Sequence, residues 1–191
     1  MKKIVAFIGV IGSGKDYNSK LCLKNNQGSK KLGFSDGVRE FTWNILGWSP
    51  KNNEEYEYFK DNPVMNLSTQ DWIAVKSLKG RQILENVADQ MRRYDPEFWG
   101  KYWLQSAKRV LTETDLLVVP DCRHHEEAEK IITLATHLGI DYQFYFCNYK
   151  SERYEIRNHS SEKFAQVILA QGCQDGDHIN RYVHELTRRP S

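Results

Sequence analysis

A parallel β-sheet covered by helices on both faces is the fold class this sequence predicts, and three observations carry the prediction. Short apolar runs, Ile4 to Ile8, Asp115 to Asp121 and Tyr142 to Cys147, are bounded by polar turns and read as buried strands. Stretches with apolar residues at helical spacing lie between them, and this alternation builds a three-layer α/β/α sandwich around a central parallel sheet. The first apolar run leads directly into a glycine-rich turn and then into a stretch that can be helical, Tyr17 to Asn25.

That turn, Gly9-Val10-Ile11-Gly12-Ser13-Gly14-Lys15-Asp16, has the spacing of a phosphate-binding loop. Its glycines let the backbone approach phosphate oxygens without Cβ clashes. The amides of residues 12 to 17, among them Ser13 and Tyr17, are expected to converge on an anion at the helix N-terminus. Lys15 adds a flexible point charge for β- and γ-phosphates. The pattern asks for Ser or Thr after the lysine, to ligate Mg²⁺, and this chain has Asp16, a hard carboxylate ligand.

Composition narrows the function classes. A length of 191 residues suits one domain with inserts, and 40% hydrophobic residues are enough for a core. A net charge of +2 gives no strong basic field, which argues against a dedicated nucleic-acid binder. No apolar run approaches the ~20 residues that span a bilayer. The four cysteines are widely spaced, as expected of free thiols in a reducing compartment, and the chain reads as cytoplasmic.

Taken in order, Leu32 to Phe34 reads as a short second strand, and Ser35 or Asp36 as the cap of a helix to Leu46. Arg39 falls near the start of that helix, on the ligand side of an open sheet. Residues 47 to 68 have weak periodicity and two prolines and read as a flexible excursion. A helix from Ser68 to Lys79 carries Trp72, and Gly80 breaks it. Arg81 to Arg93 forms the next helix, with Ile83, Leu84, Val87, Ala88 and Met91 on one face and Arg81, Glu85, Asp89 and Arg92 on the other. Asp95-Pro96 opens a helix whose stripe of Trp99, Tyr102, Trp103, Ala107 and Val110 reads as core.

The strand 115–121 ends in Asp121, where an acid can sit beside a metal and its waters; a plain strand-end residue, or a cap for the helix from about His124 to Leu138, is the alternative. His124 and His125 read as surface residues. After the strand ending at Cys147, Arg153 and Arg157 are four apart and share a helix face, where they can clamp one anion or form a solvated basic face. Ser160 or Ser161 caps a helix to Ala170 with Phe164, Val167 and Ile168 buried; a loop or short strand and a last helix, Arg181 to Arg188, follow.

Phosphate binding at this size, with many arginines at element ends (Arg39, Arg81, Arg92, Arg93, Arg123, Arg153, Arg157), favours a small-molecule kinase with two anionic substrates. An acceptor that is itself a phosphate is already ionised near neutral pH and requires no general base.

The blocks 8–16, 34–40, 92–99 (Arg-Arg-Tyr-Asp-Pro-Glu-Phe-Trp), 118–123 (Val-Val-Pro-Asp-Cys-Arg) with Glu126, Glu127 and Glu129, and 159–162 (His-Ser-Ser-Glu) together resemble the deoxynucleoside monophosphate kinases of tailed bacteriophages. The resemblance implies a P-loop kinase fold: a core of residues 1–36, 108–148 and 172–191, a monophosphate-binding helical region at about 37–107 and a lid at about 149–171. It implies transfer of the γ-phosphoryl group of ATP to a deoxynucleoside monophosphate (dNMP) with Mg²⁺, by a monomer or homodimer in the cytoplasm, the host's if the chain is phage-encoded. Gly12, Ser13, Gly14, Lys15, Asp16 and Tyr17 would hold ATP, with Asp16 and Asp121 at the metal. Lys15, Arg123, Arg153 and Arg157 would serve the transfer, and Asp36, Arg39, Trp72, Arg81, Glu85, Arg92 and Arg93 the acceptor. The family usually has Thr or Ser at position 17 and often Gln at position 85, so this chain departs at both. Animal-type phosphomevalonate kinases share the Ser-Gly-Lys-Asp loop and an Asp-Pro-x-Phe block and give an alternative acceptor. A nucleotide-binding switch without transfer is the alternative outside enzymes.

Overall fold

The computed structural model describes residues 2–62, 78–150 and 160–187. Four parallel strands, β1 (Lys3–Ile8), β2 (Lys30–Lys31), β3 (Leu116–Val119) and β4 (Asp141–Phe146), form one sheet in the order β2-β3-β1-β4. Central β1 pairs Lys3 with Leu116 on one side and with Asp141 on the other. Alternate side chains on a strand point to opposite faces, and here both faces are buried. Ile4, Ala6 and Ile8 join the larger core, with Phe144, Phe146, Trp103, Ala107, Ile131 and Ile168. Val5 and Phe7 pack on the other face with Val118, Cys147 and Cys22. The unbroken apolar run of β1 follows from this two-sided burial.

Helices α1 (Lys15–Asn25), α2 (Phe34–Leu46), α3 (Asn53–Asp61), α4 (Gly80–Tyr94), α5 (Phe98–Glu113), α6 (His125–Leu138), α7 (Ser160–Ala170) and α8 (Asn180–Thr187) complete the described chain. It divides into two compact units, residues 1–34 with 100–191, and residues 35–99. No helix among the described residues is long and apolar enough to cross a membrane.

In the first unit, the free edge of β4 is covered by the segment before α8. Phe146 donates to Asp177 O at 2.9 Å, and Ile179 donates to Phe144 O at 2.9 Å. The Asn180 side chain accepts from the Phe144 N–H at 2.8 Å and donates to Tyr142 O at 3.0 Å. Tyr145 and His178 form an isolated antiparallel bridge, in the stretch where the sequence predicts a loop or short strand.

In the second unit, Leu46, Phe59 and Ile83 form the buried centre, with Trp43, Trp48, Leu84 and Val87 around it. Trp43 meets Trp48, Tyr56 and Phe59 edge-on. Asn52 starts α3 by accepting the Glu55 N–H at 2.9 Å.

Several expectations are corrected. Residues 53–61 are helical and not an irregular excursion, because Phe59 anchors them. The second strand is Lys30–Lys31; Leu32 makes one more pairing bond, to Val118 O, and Phe34 already begins α2. On α7 the buried face is Phe164, Ala165 and Ile168, and at about 100° per residue Val167 falls about 100° away from that face and is exposed. His124 is half-buried at the start of α6 and only His125 is on the surface. α4 begins at Gly80, one residue before the expected Arg81, and the Gly80 Cα lies against the Phe59 ring. The predicted helix over 68–79 lies largely outside the described residues, as do Trp72, Arg153 and Arg157.

Candidate functional site

The site is built where β1 hands over to α1. Gly12 and Gly14 adopt φ of 72° and 84°, left-handed conformations that only glycine takes at little cost. Gly9 touches the backbone of Cys147 and the Ser13 hydroxyl so closely that a Cβ would overlap both. Ser13 donates its N–H to Val10 O at 3.3 Å, and Asn18 begins the helical ladder by donating to Gly14 O at 2.9 Å. The first-turn amides of α1 have no acceptor within the helix and carry its positive dipole end. The chain leaving β4 braces the loop from outside. Cys147 donates to Ile8 O at 2.8 Å, and Tyr149 donates to Ser13 O at 3.2 Å.

Lys15 is the loop's buried charge, only 7% exposed. Its ammonium donates to Val10 O and lies 3.5 Å from Ser13 Oγ. Burial, and then the neighbouring Arg123 guanidinium, pull its pKa down to about 8, against the opposing pull of Glu162 and Asp16. The two cations thus lie near enough to oppose each other's charge, and the buried Nε of Arg123 has no hydrogen-bond partner. An orphaned guanidinium nitrogen beside a desolvated ammonium suits a bound anion such as a phosphate group. Arg123 is presented from the β3–α6 turn, whose Arg123 and His124 amides both donate to the buried Glu127 carboxylate, at 2.7 and 3.2 Å.

Cys147 sits close by, but burial raises its thiol to about 11, so it stays protonated and is no nucleophile near neutral pH. All four cysteines are free thiols.

Asp16 is exposed in the first turn of α1, and Tyr17 beside it is 70% exposed. Among the described residues no three His, Cys, Asp or Glu side chains gather around a metal position. Mg²⁺ commonly takes only one or two protein carboxylates, with phosphates and water completing its shell, and an exposed carboxylate beside the loop fits that use. Asp121 is buried at the end of β3, where its Oδ1 accepts the Phe34 N–H at 2.8 Å and its carboxylate lies on Gly33. It caps the start of α2 and not α6.

In the unit of residues 35–99, Arg39 is held by Asp36 at 3.1 Å, by Ser35 O at 3.2 Å and over the Tyr56 ring at 5.4 Å. Arg81 faces Asp61 at 3.6 Å and Arg92 faces Asp89 at 3.7 Å. Arg93 is exposed and Glu85 half-buried on α4. An apolar cavity of about 150 Å³ lies between α2 and α4, lined by Thr42, Ile45, Ile83, Asn86 and Val87 among others. A wider cleft, about 800 Å³, lies at the N-terminal strand ends beside Lys3, Gly28 and Leu116, away from the end of the sheet where α/β proteins bind ligands.

Sequence reasoning assigned no role to Glu162. Its carboxylate is 1% exposed and accepts the Ile11 N–H at 3.0 Å, inside the glycine-rich loop. Nothing local marks it, since its partner lies on the far side of the sequence.

No protein-family model matches the chain, and no curated protein does. Among solved structures the chain is similar to the Mycobacterium tuberculosis APS kinase, solved as a cysteine-to-alanine mutant. That match covers 88% of this chain and 95% of the other at 15% identity, with a TM-score of 0.40.

Proposed function

We propose that the protein is a P-loop phosphotransferase that moves the γ-phosphoryl group of ATP to a small acceptor bearing a phosphate, a deoxynucleoside monophosphate. The observation that carries this reading is the pairing of buried Lys15 with the orphaned Nε of Arg123 beside a left-handed glycine loop. In such a cradle Arg123 keeps a buried N–H that no protein group accepts, beside a buried ammonium. The loop amides and Lys15 would hold the donor's phosphates, while Arg123 would neutralise charge that develops on the group in transit. Mg²⁺, with Asp16 and more distantly Asp121 as its carboxylates, would neutralise the β- and γ-oxygens.

The described site has no activated nucleophile, in keeping with an acceptor that arrives already ionised. Arg39, Arg81, Arg92 and Arg93 are the proposed acceptor-phosphate cations, with Asp36 orienting Arg39 and with Trp72 and Glu85 nearer the base. Arg153 and Arg157 would add charge over the transfer. The apolar cavity between α2 and α4 would offer the acceptor's ring a largely apolar space, with Thr42 and Asn86 as its polar lining.

The test is an ADP-release assay with MgATP against dNMPs, ribonucleoside monophosphates and phosphomevalonate. Turnover with one or more dNMPs is the expected result. Turnover with phosphomevalonate alone would reassign the acceptor. Tight ATP binding without any turnover would make the protein a nucleotide-dependent switch.

A further inference from the structure

We propose that Glu162 is a positioning residue that serves as the loop's own anion, holding the Ile11 N–H and balancing the cations of the phosphate site until a nucleotide arrives. The inference rests on the phosphate-binding reading of the loop. Its footing is geometric. A carboxylate buried to 1% exposure is costly unless paired and hydrogen-bonded. Glu162 meets that condition with a backbone amide of the loop at 3.0 Å and with the nearby Lys15 ammonium, whose charge it favours. Lys15, Arg123 and Glu162 thus form a charge group to which Asp16 also contributes. Without Glu162 the empty site would keep only the exposed Asp16 carboxylate against its two cations.

The arrangement has a consequence that plain structural support lacks. The Glu162 charge repels incoming phosphates, so it holds nucleotide affinity below what the loop could reach. Glu162→Gln keeps an oxygen for the Ile11 N–H and removes only the charge. It should therefore bind MgATP about tenfold more tightly than the wild type, the effect of removing one nearby charge. Glu162→Ala loses the hydrogen bond as well and should leave the Ile11 amide open to rapid hydrogen exchange.

Titration calorimetry with MgATP on the wild type, Glu162→Gln and Lys15→Ala separates the outcomes. If Lys15→Ala weakens binding at least a hundredfold and Glu162→Gln binds equally or more weakly than the wild type, the proposal for Glu162 is wrong and the phosphate-site reading stands. If the wild type does not bind MgATP, or Lys15→Ala binds as well, both fall. Should Glu162→Gln fail to fold, hydrogen exchange on the wild type decides: the Ile11 amide is expected to be protected, and fast exchange there would overturn the proposal.

Discussion

Lys15 shows how a site residue can oppose the fold that carries it. An ammonium held at a pKa of about 8, against an ordinary 10.5, is less favourable in the native protein than in the unfolded chain. The unfolded chain binds more protons than the native state between those two values, so this group's contribution to stability rises with pH across that window. Below pH 8 its cost is fully present, on the order of 3 kcal/mol from the size of the shift. Lys15→Met, which keeps the length and drops the charge, should therefore raise stability at pH 7 by roughly 1–3 kcal/mol while abolishing MgATP binding. Urea unfolding at pH 7 and pH 10 checks this: the gain should be large at the first and shrink at the second. An unchanged or lower midpoint at pH 7 would mean that the ammonium sits in the core without penalty. Asp121 contrasts with it, since its carboxylate gains the Phe34 N–H, a bond of the kind that stabilises a helix start.

At the scale of elements, the tightest contact between α3 and α4 among the described residues is the Phe59 ring against the backbone of Gly80, beside the Arg81–Asp61 ion pair and the packing of Phe59 with Ile83. A Cβ at Gly80 would overlap that ring and the Phe59 carbonyl. Gly80→Ala is accordingly expected to cost about 1–3 kcal/mol despite the better helix propensity of alanine. A variant that melts at or above the wild-type temperature would show that α3 is free to shift. This contact also explains what could be read from the chain and what could not. β1, the loop and α1 were legible because an unbroken apolar run and positive-φ glycines at 12 and 14 are local signals. The Trp99 and Trp103 stripe was legible because helical spacing reports burial directly, and both are 2% exposed. α3 was not legible: its surroundings are Glu54, Glu55, Glu57, Lys60 and Asp61, and a single phenylalanine makes the burial. Glu162 escaped for another reason, and so did the partner of Asp121, whose place in the sequence reads as a strand-end acid beside a metal or a cap for α6. Each carboxylate answers a backbone amide distant in sequence, and no spacing rule encodes such a partner.

For the whole molecule, the sheet depends on its last segment. β4 is an edge strand whose hydrogen bonds are taken by Asp177, Ile179 and Asn180, and Ile179 and Val183 are fully buried. A chain ending after Gln171 should expose that edge and associate through it. Light scattering and size exclusion check this: a monomeric truncated chain with a wild-type melting profile would show that the cover is dispensable. The same topology governs when the proposed nucleotide site comes into being. β1 and the glycine loop are made first, yet β1 has no partner until Leu116 and Asp141 are made, and the loop lacks its braces until Cys147, Tyr149 and Glu162 follow. During synthesis the loop is thus without these partners for most of the chain's length. If the loop binds phosphate as proposed, that capacity is acquired late, and a prematurely terminated chain would draw nothing from the cell's nucleotide pool.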